Sequence, residues 1–381
     1  MDWSDLASRP APWAVPASSA GEAPSAGEAP SAGNRDVSSD PAMDAVILTR
    51  TLAYRNFAGL PFVVSAPPNA CAAAADKALN LISKAGGQTV WRLADLPQRA
   101  IRLLREREIL PLRSASFPGK KSFKYLAASS DGSSWTLVNE VEHITMGRLL
   151  PGCPVPGDFV APAPESDPAR TLWAWSSGLG YLASDPSRIG AGLAVESVVH
   201  LPGLALSRQL AHARNYLAAC GVGFLPAASP SPHSASPGAA EAGLFRLISR
   251  ARLGEGVSEA YNSFLGAVQP VLRREYEARR RCAEKHHKRL EARVRKSLQR
   301  LIEATAMTYA DFLSQSSLAR LGAGLGILSP QIPGILEELR LTAGSGHLSV
   351  TSGRELMKEE EDFQRANVVR LFLEKHSGEI M

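Results

Sequence analysis

The sequence predicts a mixed α and β protein that ends in a helical region, and three observations carry that reading. Short apolar runs near residue 45, AVIL and then GLPFVVSA, are bounded by turn-forming residues and read as strands. CAAAADKALNLISKAG, from Cys71 to Gly86, has the spacing of an amphipathic helix with a terminal glycine. From Val271 to Ala304 the chain runs more than 30 residues without Pro or Gly, which predicts one long helix or two abutting ones.

In chain order, residues 1–43 are rich in Ala, Pro, Ser and Gly and repeat SAGEAP at Ser19–Pro24 and Ser25–Pro30. Such a composition buries too little apolar surface to order itself, so a disordered tail is expected there. Residues 44–270 read as one unit, interrupted by a Pro/Ser-rich surface insertion over about 226–242 that separates the helical HARNYLAAC from the strand-like LFRLIS. Residues 271–381 read as a helical C-terminal domain.

The 381 residues, 45% of them hydrophobic, exclude a fibrous or disorder-dominated chain. A formal charge of +5 permits an anionic partner without requiring one. The four cysteines, Cys71, Cys153, Cys220 and Cys282, lack CxxC spacing, which argues against a zinc site and fits a reducing compartment. No apolar run reaches the roughly 18–20 residues of a membrane span, and no secretory leader pattern opens the chain, so a cytoplasmic location is expected.

Several segments together resemble one family. LGYLASDPSRIGAGLAVESVVHLP (Leu179–Pro202), LVNEVEH (Leu137–His143), TRTLAYRNFAGLPF (Thr49–Phe62) and RARLGEGVSEAYN (Arg250–Asn262) are similar, in order, to motifs of the ATP:guanidino phosphotransferases. LSQSSLARLGAGLGIL (Leu313–Leu328) and EDFQRA (Glu361–Ala366) resemble the helical C-terminal domain of the bacterial protein-arginine kinase branch. The resemblance implies a fold, a large antiparallel β-sheet flanked by helices followed by an α-helical domain. It also implies a chemistry, transfer of the γ-phosphoryl group of Mg·ATP to a guanidinium. That chemistry rests on arginines and Mg²⁺ that neutralise phosphoryl charge, and on two carboxylates that grip the guanidinium and take its proton.

The residues this implies are only partly present. Glu255 stands where the family's loop carboxylate does, and Arg50 and Arg250 where it has nucleotide-binding arginines. Val141 replaces the other catalytic glutamate, and Leu52, Thr145 and Ala194 replace three arginines. Asp185 takes the place of the reactive cysteine and Glu108 that of a nucleotide-binding histidine, and both add negative charge to a phosphate site. Glu140 is implied as a Mg²⁺ ligand through water, with a solvated strand end as the alternative. One lost electrostatic contact typically costs a factor of about 10²–10³ in rate, so four losses predict background activity unless neighbours substitute. The candidates for substitution are Glu140, Glu142, Arg148, Arg188 and Arg252; if Val141 lies in a strand, its neighbouring glutamates face away from it. His143 and His200 read as packed core histidines, and the IGAG turn at Ile189–Gly192 as a strand connection.

At the C-terminus, Asp362 and Arg365 match a phosphoarginine-binding element whose leading arginine is here Glu361; a helical ion pair is the alternative. Between Leu272 and Arg300 there are twelve Lys or Arg against four Glu, so a solvated basic face competes with a nucleic-acid scaffold. His286 and His287, being adjacent, make no metal pair. Two readings follow from the resemblance. The chain is a pseudokinase or weakly active regulator that needs no cofactor and acts on a protein partner, a kinase or a Clp-type protease system. Alternatively it is an active Mg·ATP-dependent guanidino kinase working through Glu255, Arg50 and Arg250. A homodimer fits either reading.

Overall fold

The structure is a computed structural model, and it describes residues 2–13, 40–111, 123–153, 172–227, 242–249 and 256–380. Its centre is an eight-stranded sheet. β1 (Val46–Arg55) is a ten-residue strand and buried throughout, as its apolar and β-branched run VILT requires. Around it lie β2 (Thr89–Arg92), β3 (Tyr125–Ala128), β4 (Ser134–Val138), β5 (Ile144–Pro151), β8 (Leu193–His200), β9 (Val222–Pro226) and β10 (Leu244–Ser249). The order is β2-β3-β4-β5-β1-β8-β10-β9 and each adjacent pair is antiparallel. A small hairpin, β6 (Trp175–Ser176) and β7 (Gly180–Tyr181), stands apart.

Helices cover both faces of the sheet. On one, α1 (Pro68–Ala85) packs Ala74, Ala75, Ala78 and Ile82 against Ala127, Val138 and Ile144. The first half of α5 (Val257–Glu303) sets Tyr261, Phe264, Val268 and Leu272 against Val195, Val199 and Leu247. The other face of the sheet, with Leu48, Leu52, Trp135, Leu137 and Val198, meets α6 (Tyr309–Gly324), α7 (Ile332–Thr342) and α9 (Lys358–Lys375) through Phe312, Leu313, Leu336, Leu339 and Val369. Shorter helices α2 (Gln98–Glu106), α3 (Pro202–Leu206), α4 (Leu210–Ala219), α8 (Ser345–Thr351) and α10 (Ser377–Ile380) complete the described chain.

Three sequence expectations need correction. The start of the 1–43 tail is not loose: Leu6 and Trp13 are buried, and the Trp13 indole donates to Glu337 at 3.1 Å. Arg107 donates to the carbonyls of Arg9 and Pro10, tying the segment to the end of α2. The tail's average composition conceals the two tryptophans and one leucine of its first 13 residues. Residues 14–39, with the SAGEAP repeat, lie outside the described residues, as does most of the 226–242 insertion. GLPFVVSA forms turns rather than a strand, with Val64 about half exposed at 53%. Finally, α5 begins at Val257 and runs through Pro270, the boundary expected from sequence. Its buried stripe at 261, 264, 268, 271 and 272 continues across the proline and offsets the ~3 kcal/mol that an internal proline costs. The break in this helix is at His286, where φ is −135° and ψ 30°.

Candidate functional site

Strand parity positions the site. Arg50, Leu52 and Tyr54 of β1 project to one face, with Leu149, Gly147 and Thr145 of β5 directly opposite them. On the other side Arg50 pairs with Glu196 and Leu52 with Ala194 of β8. Trp135 of β4 faces Gly147, and a Cβ added to that glycine would lie 2.2 Å from the indole, so the ring lies directly over the backbone of β5. Arg50, Leu52, Tyr54, Trp135, Thr145 and Glu196 wall a cleft of about 140 Å³, which Glu140, Val141 and Arg188 also line.

The charge in the cleft is internally paired. Arg50 donates to Glu196 at 2.6 Å and to the carbonyl of Glu108 at 3.1 Å, and its side chain is 10% exposed. Arg246 of β10 bridges onward, 3.3 Å from Glu196 and bidentate to Glu108 at 2.7 and 2.8 Å. Arg340 of α7 stands 4.0 Å from Glu108 and 2.9 Å from Glu337, which also accepts from Arg320. Burial would depress the Arg50 pKa, but Glu196 and Glu108 overcome it and raise the value. Burial likewise opposes ionisation of Glu196, yet Arg50 and Arg246 hold its carboxyl below the usual range. Glu108 reaches this network from a left-handed backbone, φ 60°.

The other residues singled out in the sequence are distributed as follows. Leu52 is 7% exposed and joins Trp135 and Leu137 in the core, with Ala194 packed against it. Val141 does not lie in a strand but in the 139–143 loop between β4 and β5, where Asn139 has φ 55°. Glu140 reaches the cleft, but its carboxylate is 2.8 Å from the buried Lys124. Glu142 is fully buried and accepts from Asn56, the backbone N–H of Ser184 and the Ser184 hydroxyl, which pins the 182–188 segment and leaves it unable to replace Val141. Asp185 caps a short 3-10 turn, accepting from Ser187.

Of the substitute cations, Arg188 lies at the cleft over the ring of Tyr54, 4.2 Å from its centroid, and 3.6 Å from Glu142. Burial pushes the Tyr54 pKa up to about 12. Arg148 is opposite Thr51 and therefore on the other face of the sheet. Thr145 lines the cleft without charge. Arg250, Arg252 and Glu255 lie outside the described residues.

His143 and His200 are core residues: His143 accepts from the Phe57 N–H at 3.0 Å, and His200 is 2.8 Å from the Ser317 hydroxyl. The Ile189–Gly192 turn connects strands, through the paired backbones of Tyr181 and Gly190 and the Gly192 carbonyl bound by the Tyr54 N–H. Arg365 is 1% exposed and donates to Asp362 at 2.6 Å and to the carbonyls of Ala343 and Met307. Its guanidinium thus anchors α9 to the segments before α6 and α8. Sequence reasoning missed Glu196, Arg246 and Arg340; the available signal for the first two was a charged residue at the core-facing parity of an otherwise apolar strand, as in LFRLIS.

Comparison with known proteins assigns this architecture. Residues 72–278, more than half of the chain, match the model of the ATP:guanido phosphotransferase C-terminal catalytic domain. The chain belongs to the ATP:guanido phosphotransferase family. Residues 287–380 match the protein-arginine kinase McsB C-terminal domain, so this guanido phosphotransferase carries the helical region of that branch. A protein-arginine kinase of an Exiguobacterium species is 30% identical over 249 residues, covering 65% of this chain and 70% of the relative. Another, from Pelotomaculum thermopropionicum, is 25% identical over 342 residues, covering 87% and 92%. Among solved structures, the duplicated taurocyamine kinase of Schistosoma mansoni with bound transition-state-analogue components superposes with a TM-score of 0.50 at 17% identity. That likeness covers 61% of this chain and 33% of the duplicated one and supports the fold. The two family matches end at 278 and begin at 287, on either side of the break at His286.

The family uses ATP, and the described residues fit Mg·ATP poorly. The cleft's 140 Å³ is below the roughly 300–1,000 Å³ of ordinary ligand sites. The Arg50 guanidinium is held by Glu196, and the Glu140 carboxylate by Lys124. No group of three His, Cys, Asp or Glu able to hold a metal exists among the described residues. No described helix is long and apolar enough to cross a membrane.

Proposed function

We propose that this guanido phosphotransferase is a pseudokinase that regulates a protein partner rather than phosphorylating arginine. The observation that carries the reading is the Arg50–Glu196 pair. The cation retained for phosphate is bound internally at 2.6 Å, beside an apolar wall of Leu52, Trp135 and Val141 where the family has further charge. A phosphate entering there would have to displace a buried carboxylate, with three arginines and one carboxylate of the family absent. Membership of the protein-arginine kinase branch supports a partner drawn from the systems such kinases serve, a kinase or a Clp-type protease, engaged through the helical region. A catalytic reading draws on one observation, that Arg188 shares the cleft with Arg50 and offers a second cation.

The full chain separates the two readings. Calorimetric titration with Mg·ATP should give no saturable heat at millimolar nucleotide. Labelled γ-phosphoryl transfer to an arginine-rich protein should not exceed that of the Arg50→Ala variant. Transfer that Arg50→Ala or Glu255→Gln abolishes would establish the active kinase instead.

A further inference from the structure

A second and larger cavity lies away from the sheet, where the end of α3 and the residues after it face the middle of α5. It is a half-open concavity of about 740 Å³, within the range of small-molecule sites. Arg208, Arg281, Lys285, Arg289 and Arg293 line it together with His286, and no carboxylate is among the lining residues. Leu206, Ala278 and Leu290 supply an apolar floor. Lys285, Arg289 and Arg293 recur every four residues and so rise along one face of the helix. The helix breaks at His286, in the middle of this lining.

These cations are not compensated within the described chain. Arg281 has Glu277 at 3.9 Å, both largely exposed, whereas the side chains of Arg208, Lys285, Arg289 and Arg293 make no ion pair or hydrogen bond among the described residues. Outside the lining, three arginines of the same helix are paired within the fold: Arg279 with Glu275 and Asp44, Arg295 with Glu291, Arg273 with Asp40. Like charges at i,i+4 repel, so the cluster opposes folding slightly unless an anion occupies the cavity.

We propose that this cavity binds a compact, phosphate-rich anion of the inorganic polyphosphate class. Five cations in one concavity exceed what a single phosphoryl group, of charge near −2, would use, and match a chain of several phosphates. Arginine forks suit such oxygens through paired N–H donors. A single-stranded nucleic acid would call for aromatic rings to stack its bases, and the lining has none. The site is independent of the sheet cleft and of whether that cleft transfers phosphate.

The test is calorimetric titration of the full chain with tripolyphosphate, at low salt and again at about 0.3 M salt, where exposed charges are screened. Saturable binding that weakens with salt is expected. Arg289→Gln/Arg293→Gln should weaken it by roughly tenfold or more, while Arg280→Gln/Lys288→Gln, which removes the same charge from residues outside the lining, should change it by less than about twofold. All four positions are exposed, so melting temperatures of both variants should stay at or above that of the parent, which separates lost binding from lost folding. Absence of binding, or equal losses in the two variants, overturns the proposal. So does single-stranded DNA that binds more tightly than tripolyphosphate, since the face would then be an extended nucleic-acid surface.

Discussion

At the scale of single residues, the decisive feature is that Arg50 is partnered within the fold. Removing one member of a buried pair leaves the other charge uncompensated, which typically costs about 3–5 kcal/mol, whereas replacing both by apolar groups costs far less. Glu196→Ala should therefore lower the unfolding free energy by about 3 kcal/mol or more, because Arg50 keeps only the Glu108 carbonyl. The Arg50→Met/Glu196→Leu double variant should lose less than the single one. Urea denaturation checks both, and a double variant at least as unstable as Glu196→Ala would contradict the pairing. Little of this was legible in the sequence. Arg50 was visible as a kept motif residue, but its partner Glu196 is 146 positions away and is fixed by strand register. Glu140 likewise read as a Mg²⁺ ligand because nothing in LVNEVEH reveals Lys124 beside it.

At the scale of elements, helices and the long buried strand were readable because their periodicity is local. α1 ends at Gly86 with φ 67°, and α4 and β10 coincide with HARNYLAAC and LFRLIS. Reading failed where an apolar run folds into turns, as in GLPFVVSA, and where composition averages over an ordered patch, as in residues 2–13. That patch bridges α2 and α7: Ala11 donates to Glu338, the Trp13 indole to Glu337, and Arg340 stacks 5.2 Å over the Trp13 ring. Burial of an aromatic side chain of this size is worth several kcal/mol, so Trp13→Ala should destabilise the chain by about 3 kcal/mol. Deleting residues 1–13 should cost at least as much, while deleting the SAGEAP repeat should leave the melting temperature unchanged. If the first deletion also left it unchanged, the segment would have no part in the core.

For the whole molecule, buried titratable groups set how stability varies with pH. His143, His200 and His347 all have pKa values pushed below the ordinary 6.5, chiefly by burial, and for His347 the value falls to about 4. The folded chain keeps these rings neutral between those values and 6.5, while the unfolded chain protonates them. Their contribution is thus present above pH 6.5 and lost as pH falls, by about 3 kcal/mol for His347 alone at pH 4. Glu106 acts with the opposite sign. Burial raises its pKa to about 7 against two backbone N–H donors from Gly346 and His347, so its contribution is present below pH 4.5 and lost as pH rises through 7. Below about 4.5 the loss deepens, because Glu196 and Glu337, whose pKa values are lowered by arginine partners despite burial, must take up protons to unfold. Burial raises Glu275 and Glu338 as well, but the shifts of His347 and Glu106 nearly cancel and His200, pushed well below 6.5, tips the balance, so the melting temperature should fall from pH 6.5 to 4.5. His347→Leu should make that slope shallower and Glu106→Gln should make it steeper. Scanning calorimetry at half-unit intervals decides between this balance and a profile set by the arginine-paired carboxylates Glu196 and Glu337 alone, in which stability would stay flat down to about pH 4.5 and both variants would follow the parent curve.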